Sequence, residues 1–279
     1  MDIASKEQEL RAKLEDCVAA VKATNPMAPS ITNFVTVDFV ANAQLAVGGS
    51  AAMIYMPDEG VQLAAGQAMY LNMGTLMPVY EQTVPATMTA LHEAGTPWVV
   101  DPVGLGIGSL RTKLLQHCKN CKPTVIRCNA SEAIALADLW GLEAAAADGV
   151  RGVDSTDTVR SARAAAVALA RHTGGAVAVS GPEDMVTDGT VVAYVQGGSE
   201  FMPLVTGCGC SLGGVMAVYA ACTDPITAAL AGTIAFDLAG MDAECDAHGP
   251  ASFKVAFIDA LYNAQPADIA AFPFVVEEA

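Results

Sequence analysis

Apolar positions in the first two dozen residues recur at helical spacing. Leu10, Leu14, Cys17, Val18 and Val21 fall on one stripe and predict an amphipathic helix over Lys6 to Thr24, followed by a second over Phe34 to Val47. Beyond that the pattern alternates. Short apolar runs at Ala51–Tyr55, Ala68–Met73, Trp98–Val100, Thr124–Ile126 and Ala176–Val179 are separated by helical stretches at Asp58–Ala65, Val84–Ala94, Ser109–Cys118, Ser131–Leu139 and Ser155–Arg171. Continuous apolar runs suit strands buried on both faces, and the helices between them supply the crossovers. The expected fold class is α/β, with a mostly parallel central sheet covered by helices on both faces. Met185 to Val195 reads instead as two strands about the Asp188-Gly189 turn, an antiparallel addition at one edge. Helices at Leu212–Cys222, Ile226–Cys245 and Ala251–Asn263 close the chain. No low-complexity linker, charge block or internal repeat marks a boundary, so residues 1–279 read as a single domain.

Composition narrows the partners. Hydrophobic residues make up 53% of the chain and charged ones 16%, enough to bury a large core. Every apolar stretch is interrupted by Gly, Asp or Glu, so none is expected to span a bilayer. The opening Met1-Asp2-Ile3-Ala4-Ser5-Lys6 also lacks a basic start followed by an apolar segment. The reading is of an unexported, cytoplasmic protein. Acidic residues outnumber basic ones 30 to 14, for a net charge of -16, so neither nucleic acid nor membrane is an expected partner. An anionic ligand must be handled locally, by a few arginines, backbone amides and a divalent cation. Eight cysteines in such a chain read as reduced. Cys118-Lys119-Asn120-Cys121 has half a zinc-site spacing, but no matching Cys or His pair follows.

The candidate chemistry lies where apolar runs stop. Met73-Gly74-Thr75, Asp101-Pro102-Val103-Gly104, Arg127-Cys128-Asn129-Ala130-Ser131-Glu132 and Ser180-Gly181 each follow a predicted strand. In a parallel sheet such ends share one rim, and ligands bind outside the carboxyl ends of the strands. Val205-Thr206-Gly207-Cys208-Gly209-Cys210-Ser211 then runs directly into a helix. Gly207 and Gly209 remove side chains that would keep backbone amides from converging on an anion, and the helix adds its positive dipole end. Cys210 would sit at the mouth of that cradle, where the same field is expected to favour a thiolate able to accept a proton from an attacking hydroxyl. Arg111, after the glycine-rich Gly104–Gly108 loop, reads either as a phosphate contact or as a solvated first-turn arginine.

These segments closely resemble the hydroxyethylthiazole kinase family. The likeness is carried by Ile31-Thr32-Asn33, Gly48-Gly49-Ser50-Ala51-Ala52-Met53, Asn72-Met73-Gly74-Thr75, Asp101-Pro102-Val103, Asn129-Ala130-Ser131-Glu132, Gly152-Val153-Asp154-Ser155 and the glycine-cysteine turn, in order across nearly the whole chain. The resemblance implies a ribokinase-like fold and transfer of the γ-phosphate of ATP to the hydroxyl of 4-methyl-5-(2-hydroxyethyl)thiazole, a salvage step toward thiamine phosphate. It further implies dependence on Mg²⁺ and a homotrimer with active sites at subunit boundaries. Carried over by position, Asn33, Met53 and Gly207 would bind the thiazole, while Arg127, Ser180 and Gly209 would contact the nucleotide. Asp101 and Glu132 would organise the metal, and Cys210 would accept the alcohol proton. Three positions depart from the family pattern: Cys128 stands for a glycine, Ser180 for a threonine, and Cys208 for the threonine of a Gly-Thr-Gly-Cys turn. Cys128 is expected to add bulk beside the nucleotide. Two other readings stay open, a ribokinase-like kinase of another vitamin-precursor alcohol and a noncatalytic nucleotide- or vitamin-binding relative.

Overall fold

The computed structural model describes residues 2–143 and 158–279. Its centre is one eight-stranded sheet: β1 (Ser30–Ile31), β2 (Met69–Asn72), β3 (Trp98–Asp101), β4 (Val125–Asn129), β5 (Ala176–Ser180), β6 (Asp184–Thr187), β7 (Val191–Val195) and β8 (Phe274–Glu278), side by side in chain order. The first five are parallel, and β6 to β8 continue the sheet antiparallel. The α/β class and the Asp188-Gly189 hairpin are as the sequence pattern predicts.

Sequential order of the parallel strands decides where the helices go. Each step advances in one direction, and right-handed crossovers then deliver successive connecting helices to the same face. That face holds α3 (Pro57–Leu63), α4 (Tyr80–Ala94), α5 (Ser109–Cys121), α6 (Ala130–Leu139) and α7 (Arg163–Thr173); Ala64, at the end of α3, joins Met88, Leu114, Leu136 and Leu169 in one buried cluster. The opposite face is left for elements drawn mainly from the two ends of the chain. These are α1 (Ile3–Thr24), α2 (Val37–Ala46), α8 (Cys208–Ala220), α9 (Pro225–Asp246), α10 (Pro250–Asn263) and α11 (Pro266–Ala271).

Strand alternation divides the side chains between these two cores. Leu71, Val100, Ile126 and Val179 enter the α4–α7 side, and Tyr70, Val99, Val125 and Ala178 the α8–α9 side. Two residues beyond each of the latter stand Asn72, Asp101, Arg127 and Ser180, so four polar strand ends share the α8–α9 side of the rim. Register sets Asn72 beside Asp101, and Asn129, two residues past Arg127, beside Ser180.

Several expectations change. Ala51–Tyr55 is not one of the sheet's strands. The first strand is Ser30–Ile31, and the segment around Met53 lies along its outer edge through isolated bridges, with the Ser30 amide donating to Ala52 O at 2.8 Å and that of Ile54 to Ser30 O at 3.0 Å. The run has strand-like residues but meets only a two-residue partner. The helix expected from Ser155 begins, within the described residues, as a 3-10 turn at Val159–Ala162 before α7; the Gly152–Ser155 motif lies outside the described residues. The helix expected from Phe34 begins at Val37, because Asn33 to Thr36 forms a turn closed by the Thr36 amide on Asn33 O at 3.2 Å. Neither α11 nor β8 was apparent in the pattern. The expectation about apolar length is also corrected: α9, with 22 residues, is long and apolar enough to cross a membrane, although 83% of its most apolar window is buried inside the protein. It serves as the central helix of the second core, and its small residues allow that role: a Cβ at Gly232 would fall 2.6 Å from Met216 Cγ on α8.

Candidate active site

A continuous line of polar contacts crosses the rim. Asn33 Nδ2 donates to Asn72 Oδ1 at 3.0 Å, Asn72 Nδ2 donates to the Tyr70 hydroxyl at 2.8 Å, and that hydroxyl donates to Asp101 Oδ2 at 3.2 Å. Arg127 extends it, with Nη1 on the same Asp101 oxygen at 3.3 Å and Nη2 on Ser180 Oγ at 3.1 Å. At the other end, Asn33 Nδ2 also lies 3.5 Å from Cys210 Sγ. The predicted thiazole contact Asn33, metal-organising Asp101, nucleotide contacts Arg127 and Ser180, and proton acceptor Cys210 thus belong to one network. Tyr70 and Asn72 hold it together. Their signal in the sequence was a pair of polar-tipped residues two apart on a fully buried strand, which places both on one face.

Helix α8 points its start at this line. Gly207 is its N-cap with φ 104°, a left-handed conformation that favours glycine, and a Cβ there would approach Thr36 Cβ to 3.1 Å. Gly209 has a different task from the one expected of it: a Cβ there would lie 2.8 Å from Arg127 Nη1, so its absence lets the guanidinium rest on the first turn. The Cys208 amide donates to Val205 O at 3.3 Å and the Ser211 amide to Gly207 O at 2.8 Å, while the amides between them, at the helix start, have no intrahelical acceptor and can face an anion. Beyond Arg127 opens a cavity of about 680 Å³, within the size range of ligand sites, lined among others by Arg127, Asn129, Ser180, Cys208 and Gly209. Met53, half-buried, sits on the other flank against the outer edge of β1.

Buried polar atoms without partners gather here. Among the described residues they include Asp101 Oδ1, Arg127 Nε, and the hydroxyls of Thr32 and Thr36 after β1. Native interiors rarely tolerate such groups, and their concentration at one rim marks a surface that a polar ligand completes. Electrostatics corrects the expectation for Cys210. Burial first, then the Asp101 charge, push its thiol above the ordinary value; Arg127 and the nearby polar side chains of Thr36 and Asn72 only partly oppose this. The group is therefore a neutral thiol at pH 7, not a thiolate favoured by the helix. Burial likewise lifts Asp101 to about 7 against the pull of Arg127.

Glu132 is occupied by the backbone. It completes a capping box on α6, its Oε2 accepting from the Asn129 amide at 3.0 Å, while Oε1 accepts from Gly104 N at 3.0 Å and ties down the loop after β3. Among the described residues no group of three His, Cys, Asp or Glu side chains could hold a metal ion. Two carboxylates, one with an unpartnered buried oxygen, nonetheless suit a Mg²⁺ that arrives on nucleotide phosphates and keeps most of its water, since this ion is commonly bound by one or two carboxylates.

Remaining candidates resolve by position. Arg111 does not extend free toward a phosphate: Nε donates to Met73 O at 2.7 Å, and its other nitrogens reach Gly74 O and Ile107 O, bracing the glycine loop. Cys128 does not crowd the nucleotide side, because alternation turns it into the α4–α7 core, with Sγ 3.8 Å from Ala178 O. Cys208 lines the cavity with its thiol held up at about 12, chiefly by burial. Both Cys208 and Cys210 are free, two positions apart on one helix. Cys118 and Cys121 are buried on α5.

Comparison with known proteins gives the family. The chain is 46% identical to a hydroxyethylthiazole kinase of Bifidobacterium longum (strain DJO10A), covering 96% of this chain and 92% of that one. In structure it is similar to a hydroxyethylthiazole kinase protein from Pyrococcus horikoshii OT3, with a TM-score of 0.84 and 28% identity, covering 95% of this chain and 98% of the other. A pyridoxal kinase from Staphylococcus aureus, 14% identical at a TM-score of 0.59 over 91% of this chain and 99% of its own, shares the fold, which is ribokinase-like. The family model described as "Hydroxyethylthiazole kinase family" matches residues 18–266, and the chain belongs to that family.

Proposed function

We propose that this protein transfers the γ-phosphate of ATP to the primary hydroxyl of 4-methyl-5-(2-hydroxyethyl)thiazole, as the names of its relatives suggest. The observation that carries the reading is the junction at α8. A nucleotide-sized cavity reaches Arg127, Ser180 and Gly209 on one side, and Cys210 meets Asn33 of the alcohol side through a 3.5 Å contact on the other. Phosphoryl transfer asks chiefly for positioning and charge stabilisation. In this arrangement the open end of α8 and Arg127 face the transferring group, and Ser180 orients Arg127. Asn33, Met53 and Gly207 hold the thiazole, and Asp101 and Glu132 would hold the water shell of Mg²⁺. When bound, that ion neutralises charge on the phosphates. The minor deprotonated form of Cys210 takes the alcohol proton late, as the new P–O bond makes that proton acidic, and returns as the thiol.

The assembly belongs to the same proposal. Exposed Phe34 and Val35 directly follow Asn33, offering apolar surface that a second subunit of a homotrimer would cover at the alcohol side. We place the enzyme in the cytoplasm. The deciding experiment is a coupled assay with the thiazole alcohol, ATP and Mg²⁺, repeated with the metal chelated and with pyrimidine and pyridoxal-type alcohols. Turnover with the thiazole that disappears on chelation is expected; preferred turnover of another alcohol would reassign the substrate, and nucleotide binding without turnover of any would indicate a noncatalytic relative.

The methionine offers a sharper check of the alcohol side. Truncation in Met53→Ala removes a polarizable thioether that would lie against the ring, so KM for the thiazole should rise roughly tenfold, as expected for losing part of one buried apolar side chain. KM for ATP should not follow. A parallel rise in both would place Met53 in the general packing of the rim.

A further inference from the structure

Midway along α9, between Phe236 and Leu238, an acid interrupts the mostly apolar, buried stretch 226–240. Asp237 is only 5% exposed, and its Oδ2 has no hydrogen-bond partner among the described residues. Burying an unpaired polar oxygen costs free energy, and a core helix gains nothing from it. The surroundings are also specialised. The strap Gly197-Gly198 crosses directly over the residue: a Cβ on Gly197 would fall 2.6 Å from Asp237 Cβ, and the Gly198 amide donates to Asp237 O at 3.1 Å. Two glycines in succession thus let the backbone close down on this one side chain. What remains open to it is the 680 Å³ cavity, which Asp237 lines with Asp184, Leu212 and Phe236.

Arg127, Asp184 and Asp237 all line that cavity, the Arg127 charge bearing on Asp184 and the Asp184 charge on Asp237. With phosphates at Arg127 and α8, a nucleotide lying along the cavity brings its base toward Phe236 and Asp237.

We propose that Asp237 determines nucleotide specificity, its carboxyl group hydrogen-bonding the edge of the purine ring by accepting from an exocyclic amino group and donating to the neighbouring ring nitrogen. This rests on the proposed binding of nucleotide in the same cavity. Burial, reinforced by Asp184, lifts Asp237 to about 8, so at neutral pH the group is a neutral carboxyl with one donor and one acceptor. The other charged groups lining the cavity are Arg127, Glu200 and Glu244. Adenine presents the complementary edge, an amino group beside a ring nitrogen. A purine without the 6-amino group keeps the ring nitrogen but loses one of the two bonds.

Binding constants and KM values for ATP and for purine riboside triphosphate, which lacks only the 6-amino group, test the proposal. The unaltered protein should favour ATP by about tenfold, the worth of one well-made buried hydrogen bond. Asp237→Leu should lose that factor for ATP and become indifferent between the two, with the change in KM rather than kcat. Asp237→Asn, whose amide also offers a donor and an acceptor, should keep the preference. Should the leucine variant not fold, Asp237→Ala reads out the same difference. Equal affinity for both nucleotides in the unaltered protein, or an undiminished preference in the leucine or alanine variant, would overturn the proposal. Failure of the kinase reading looks different: nucleotide binds with its preference intact and no alcohol is phosphorylated. Absence of any nucleotide binding would overturn both.

Discussion

Arg127→Leu should destabilise the ligand-free protein by about 1.4 kcal/mol more at pH 8 than at pH 5, the worth of the one pH unit between 8 and the value near 7 at which Asp101 titrates beside Arg127. Asp101 is fully buried, its Oδ1 has no partner, and Arg127 is the cation beside it at 3.3 Å. The penalty must depend on pH. Asp101 already titrates at about 7 in the folded protein, above its ordinary value, so the fold favours the protonated acid. Stability from that preference is complete below pH 4 and drains away as pH rises through about 7. Without Arg127 the folded-state value moves higher still, and an ionised Asp101 becomes more costly. The deficit of the variant should therefore be about 1.4 kcal/mol larger at pH 8 than at pH 5, and Asp101→Asn in the same chain should remove that difference. Denaturant titrations at the two pH values measure this. A deficit of equal size at both would show that Arg127 matters through packing rather than through Asp101.

Loss of the thiol should have the largest effect on turnover. Cys210→Ala is expected to lower kcat roughly ten- to a thousand-fold, in the range of a missing acid–base contact, with little change in ATP affinity. The raised thiol adds a pH signature. Only the deprotonated sulfur can accept the alcohol proton, and burial with Asp101 nearby holds most of it protonated. In the unaltered enzyme kcat should therefore climb with pH from 6 to 9. Cys210→Asp places a carboxylate acceptor at nearly the same point; its activity should exceed that of the alanine variant, and its profile should level off at lower pH. Unchanged turnover in Cys210→Ala would remove the sulfur from the chemistry. An inactive aspartate variant that still binds ATP would mean the sulfur has another task.

Much of this site was readable before any coordinates. Polar residues at the ends of apolar runs pointed to Asp101, Arg127 and Ser180, and the glycine turn before a helix pointed to Cys210, because strand ends and helix starts have local signatures. What failed was each inference that needed a neighbour. Gly209 was read as clearing space for an anion, but its missing Cβ is filled by Arg127, more than 80 residues earlier in the chain. Cys128 was placed beside the nucleotide because it follows Arg127, although one step along a strand reverses the face. Ala51–Tyr55 has the composition of a strand, yet whether it joins the sheet depends on the length of β1. Tyr70 and Asp237 look like core residues until the cavity and the rim are seen together.

By itself, the order of apolar and polar residues determined that this protein is α/β, that four strands run parallel into an antiparallel hairpin, and which side chains stand at their ends. Those properties follow from periodicity and from the turn chemistry of adjacent residues. Only the tertiary structure decided that Cys210 is a neutral thiol, that Asp101 is shut away with Arg127, and that an acid on α9 opens into the nucleotide-sized cavity. Burial and charge at a point in space are sums over everything packed around it, and those contributors come from segments that sequence distance does not connect.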